Sequence, residues 1–185
     1  MPWTHPYFWI LPLIIGGILT GLVTLVRTTR LRSIYNDRVP ESRRERLFLA
    51  SVGFFTAVLT VRGVTIAIHN NIGPFHDVAV GGRHIHHLVW GILLLLLSGY
   101  GWLLEVGTGS GNSMRWVGQL TSMTYGVAAA LTLDEFALWL NLRDVYWERE
   151  GRESFEALAL FGALLAVGLL GKPFFHGIAH WKKYA

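Results

Sequence analysis

The chain has 185 residues, of which 52% are hydrophobic, 13% aromatic and only 15% charged, with a formal net charge of +4. With its positive mean hydropathy, that composition excludes an ordinary soluble domain and predicts an all-α, polytopic membrane protein. The absence of cysteine excludes disulfides, iron–sulfur clusters and cysteine nucleophiles, leaving histidine, carboxylate and water as ligands for any metal.

The first predicted span runs over 8–26, led in by Trp3, Tyr7, Phe8 and Trp9, an aromatic mixture suited to the membrane interface. It lacks a basic leader and a small-residue cleavage site, so it reads as a retained helix. Gly17 and Gly21 have the spacing that lets another helix approach closely. Arg27, Arg30, Arg32, Arg38, Arg43, Arg44 and Arg46 then crowd one connection. Basic residues gathered in one loop between apolar spans suit lipid headgroups and topology, so no nucleic-acid partner is expected.

The second span, 47–69, carries Arg62, Thr65 and His69 at helical spacing on one face. An arginine turned to lipid costs at least ~3 kcal/mol unless it snorkels, so Arg62 calls for an anionic partner at its depth, or for an anionic headgroup. After an outer connection with His76 and Asp77, the triplet His84, His86 and His87 abuts the third span, 86–104. The fourth span, 116–140, holds two adjacent carboxylates, Asp134 and Glu135, roughly 9 Å from its outer end at about 1.5 Å per residue. The loop that follows, with Arg143, Asp144, Glu148, Arg149, Glu150 and Arg152, reads as a solvated extension with Tyr146 and Trp147 as interface anchors. The fifth span, 155–171, offers Gly162 and Ala166 as a packing face and leads to an amphipathic tail carrying His176 and His180.

The five spans form one membrane domain over 1–185, with the N-terminus outside and the C-terminus cytoplasmic, in the inner (plasma) membrane. Of the 16 Lys and Arg residues, eleven then lie on the cytoplasmic side and four outside, with Arg62 within a span.

This topology gathers His69, His84, His86, His87, Asp134 and Glu135 at the outer side. Imidazoles and carboxylates are the ligand set for zinc, or for non-haem iron or manganese, so a divalent metal is expected on His69, His84, His86, His87 and Asp134. Arg62 is expected to form a structural ion pair with one acid or to bind substrate. The remaining acid is then available as catalytic base, with Glu135 and Asp134 both candidates. His176 and His180 fall on the opposite side and cannot complete that site.

Polar histidines, a membrane acid and a terminal HxxxH resemble in outline the alkaline ceramidases, seven-helix zinc-dependent lipid amidases. The chain has too few spans and its histidines fall on opposite sides, so no residue roles carry over. There is no Walker loop, dinucleotide fingerprint or serine elbow.

Three readings follow. The first is a metal-dependent membrane hydrolase acting on a lipid or other hydrophobic substrate. The second is a proton or metal-ion conduit, which needs polar groups through the inner half of the bundle. The third is an accessory or assembly subunit, as a homo-oligomer or within a larger membrane complex, whose ion pair only specifies the fold.

Overall fold

The computed structural model describes residues 13–14, 16–18, 20–21, 24–25, 42–75, 79–80, 83–108 and 112–170. His76, Asp77, His176, His180 and the loop arginines from Arg27 to Arg38 lie outside the described residues. The described chain is all-helical apart from one two-residue ladder. Helix α1 (Ser42–His69) is followed by strands β1 (Ala79–Val80) and β2 (Arg83–His84), paired antiparallel with Ala79 opposite His84. Then come α2 (His87–Leu103), α3 (Asn112–Asp134), the short α4 (Phe136–Asn141), one 3-10 turn (Arg149–Gly151) and α5 (Arg152–Leu170).

Two helical stretches, Arg43–His69 and Arg149–Leu170, are long and apolar enough to cross a membrane, and His87–Leu103 is a shorter apolar helix. Their outward faces carry large apolar side chains, among them Leu59, Leu96, Leu97, Leu160 and Leu164, all more than 60% exposed. Outward leucines on helices of this length suit a hydrocarbon surround, where burial is not needed to hide them.

Helix α3 is the central element, packed most extensively on α1 and then on α2, with α5 against both α1 and α3. Close approach explains why. A Cβ on Gly126 would collide with the Ala50 carbonyl and the Phe54 amide, and one on Gly53 would collide with the Met123 carbonyl, so the α1 and α3 backbones touch. Small residues at a crossing give helices in lipid their dispersion contact. Around the crossing, Phe54, Ala57, Val61, Val127, Ala129, Ala130 and Leu131 form the buried core.

Two features differ from expectation. The fourth span is not one helix: α3 ends at Asp134, Glu135 adopts φ −111° and ψ 25°, and α4 starts anew at Phe136. Its first turn is held from α5, where the buried Ser154 hydroxyl accepts the Ala137 amide at 3.0 Å. The loop after α4 keeps its charged residues Arg143, Asp144, Glu148 and Arg149 exposed, as expected, but it is not a continuous helix: Val145 is fully buried and Tyr146 folds back towards α1 and α3.

Candidate functional site

The break at Glu135 decides the site. On an unbroken helix two adjacent side chains diverge by about 100°, whereas here both acids turn into the bundle, Asp134 0% and Glu135 6% exposed. They then take different partners.

Asp134 is the crowded acid. Arg62 of α1 brings Nε to 2.7 Å from Oδ1, a contact close enough for an ion pair but without hydrogen-bond alignment. Tyr146 donates its hydroxyl to Oδ2 at 2.9 Å, and His87 Nε2 lies 3.2 Å from the same oxygen. Arg62 is flanked by the Phe155 ring, 3.5 Å from guanidinium carbon to centroid, and more loosely by Tyr146 at 5.3 Å. Burial first, and then the negative charge of Asp134, push the Tyr146 phenol well above its ordinary range, with Arg62 opposing. Tyr146 is therefore a fixed donor to Asp134.

Glu135 faces the start of α2. The Leu88 amide donates to Oε2 at 2.9 Å, so Glu135 satisfies one of the unpaired amides at that helix N-terminus and lies against the positive end of its dipole. The local residue His86 makes no side-chain cap of its own. Its Nδ1 lies 2.7 Å from Glu135 Oε1. An ionised carboxylate can only accept, so in that pair the proton resides on His86.

His87 stands between the two acids. Its Nε2 is directed at Asp134, while its Nδ1 lies 3.5 Å from Glu135 Oε2. A neutral ring that donates from Nε2 turns a lone pair at Glu135 from Nδ1. That arrangement calls for either a proton or a metal ion between Nδ1 and Oε2.

His69 does not join this group: it stacks on Trp147, with centroids 4.0 Å apart and planes 25° apart. His84 lies in β2, and its side chain lies outside the described residues. Among the described residues no three His, Asp or Glu side chains are gathered as a metal site requires. The physical reason is pairwise contact: Arg62 holds Asp134 as an ion pair, Tyr146 by a hydrogen bond, and His87 is divided between the two acids.

A second polar cluster sits at the other end of α1 and α3. Glu45, 5% exposed, accepts from Arg115 at 3.0 and 3.2 Å and from Gln119 at 2.8 Å. Only the orientation of the two helices could have shown it in the sequence, because the partners are 70 or more residues apart. Between the clusters the core is apolar, and the buried Ser122 hydroxyl is spent on the Gly118 carbonyl.

Neither family models nor curated proteins nor solved structures yield a match to this chain.

Proposed function

We propose that the chain is a five-span protein of the inner (plasma) membrane, N-terminus outside, whose outward end carries a metal-dependent hydrolytic centre in which His87 and Glu135 would hold the ion. The observation that carries this reading is the 3.5 Å gap between His87 Nδ1 and Glu135 Oε2. Ligand atoms in a tetrahedral site with bonds of about 2.1 Å stand about 3.4 Å apart. An imidazole and a carboxylate, with water in the remaining positions, are donors that suit zinc, non-haem iron or manganese. A ligating histidine also usually has its other nitrogen held by a carboxylate. Asp134 is in that place, directed by Arg62 and Tyr146, so it acts as a positioning residue and Glu135 is the acid available to an ion. A bound ion would supply Lewis acidity and a more acidic water. The chain's own residues hold His87 in one orientation, exclude bulk water and keep the Tyr146 proton on the phenol.

The substrate class follows from where the site lies. A polar centre near the outer end of membrane helices is reached from the lipid phase, so the bond cleaved belongs to a lipid or other hydrophobic molecule. The test is release of a carboxylate or amine from a panel of lipid esters and amides in proteoliposomes, with and without chelator, in wild type and Glu135→Gln. Chelator-sensitive turnover abolished by Glu135→Gln supports the reading, and turnover indifferent to both overturns it.

A second reading is favoured by a separate observation. The network ties α1, α2, α3 and the loop together, as expected of an accessory or assembly subunit whose polar cluster only fixes the bundle. It predicts loss of stability, with no bound metal, in every variant of the cluster.

A further inference from the structure

Arg62 lies on the outward apolar stripe of α1. Phe55, Leu59 and Ile66, which share its side of the helix at spacings of three, four and seven residues, are 52%, 75% and 50% exposed. Phe155 of α5, against which the guanidinium is stacked, is 56% exposed. The Arg62 side chain itself retains 17% exposure. It therefore sits where the centre meets the surface that faces lipid, roughly 10 Å from the end of α1 at about 1.5 Å per residue.

Only part of this guanidinium is committed. Nε is shut in against Asp134 Oδ1. The two terminal amino groups make no hydrogen bond among the described residues, and they are not among the fully buried atoms. A flat guanidinium held on an aromatic ring, with its outer edge open, matches two oxygens of a phosphate or carboxylate. A cation on an apolar stripe also has to be solvated by something besides Asp134.

We propose that the open edge of Arg62 binds the phosphate headgroup of an anionic amphiphile entering between α1 and α5, its acyl chains lying along Phe55, Leu59 and Phe155. The site thereby selects anionic over zwitterionic lipids. This rests on the reading of the neighbouring centre as one that acts on lipid, and it names the class of lipid.

The experiment is equilibrium binding to the full-length protein in neutral detergent, using short-chain phosphatidic acid, the matching phosphatidylcholine and inorganic phosphate as separate probes. Wild type, Arg62→Lys and Phe155→Ala are compared, with melting temperature and metal content recorded for each. Lysine keeps the charge opposite Asp134 but not the two-pronged edge, so this variant stays folded. Phosphatidic acid should bind wild type at least ~10-fold more tightly than either other probe, and Arg62→Lys should lose most of that preference. Equal binding by wild type and Arg62→Lys, equal binding of the two lipids, or inorganic phosphate binding as tightly as phosphatidic acid would each overturn the proposal. Metal content separates the two claims. A metal-free protein with intact lipid selectivity sinks only the centre, and a metal-loaded protein without selectivity sinks only the headgroup site.

Discussion

Arg62 of α1 and Asp134 of α3 meet at 2.7 Å inside the bundle, as charges in contact without an aligned hydrogen bond. Breaking such a pair from one side leaves the other charge buried and uncompensated, which costs about 3–5 kcal/mol, whereas replacing both by apolar groups is far milder. Asp134→Ala and Arg62→Met should each destabilise strongly, and the double variant Arg62→Met with Asp134→Leu should recover most of the loss. A double-mutant cycle by thermal or denaturant unfolding in detergent measures this. Additive losses would mean that the contact carries no coupling.

Tyr146 gives a dependence on pH. Its phenol is raised in the folded protein, first by burial and then by Asp134. A raised group stabilises the fold fully below its unfolded value of about 10, and that contribution fades as pH climbs above it. Tyr146→Phe should cost roughly 1.5–3 kcal/mol at neutral pH, the range for a hydrogen bond to a charged acceptor. The gap between wild type and Tyr146→Phe should narrow above about pH 10. Melting curves at neutral and alkaline pH decide, and a gap that widens there would contradict the assignment.

The glycines divide by what surrounds them. A Cβ at Gly126 meets only backbone atoms of α1, whereas one at Gly99 of α2 meets nothing within 4 Å. Gly126→Ala should therefore cost about 1–3 kcal/mol by forcing α1 and α3 apart. Gly99→Ala should be neutral or stabilise by up to about 1 kcal/mol through helix propensity. Unfolding of the two variants side by side checks the crossing.

Much of the site was legible because charge in an apolar helix needs a partner. Arg62 on one face of an apolar span and a pair of acids in another already imply contact, and of the triplet His84, His86 and His87 at a helix mouth the last two reach those acids. The choice of acid was not legible, because it depends on the break at Glu135, and no proline or glycine stands there to mark it. From sequence Tyr146 looks like an interface anchor, as aromatic residues near span ends usually are. Its role appears only once Val145 is seen buried and the loop closed over the acids. His69 had the right spacing for the cluster, but Trp147 offers its ring a stacking partner. The contact of α1 with α3 was hidden too, since Gly53 and Gly126 form no linear motif.

The proposed topology has a direct check, helped by the absence of native cysteine. Single cysteines introduced as Arg143→Cys and Glu105→Cys occupy exposed positions in different connections. A membrane-impermeant maleimide applied to intact cells should label the first, and should reach the second only after permeabilisation. The reverse pattern would turn the protein over and place the centre on the cytoplasmic side.

The most direct test of the centre is the metal content of protein purified in detergent without chelator, compared with His86→Ala/His87→Ala, Glu135→Gln and Arg62→Lys. Near-stoichiometric zinc, iron or manganese is expected in wild type and Arg62→Lys. It should be lost in the histidine double variant and in Glu135→Gln, with both still folded by melting. Wild-type protein that carries no metal and takes up none on addition would contradict the account and leave the cluster as a clasp that only holds the bundle together.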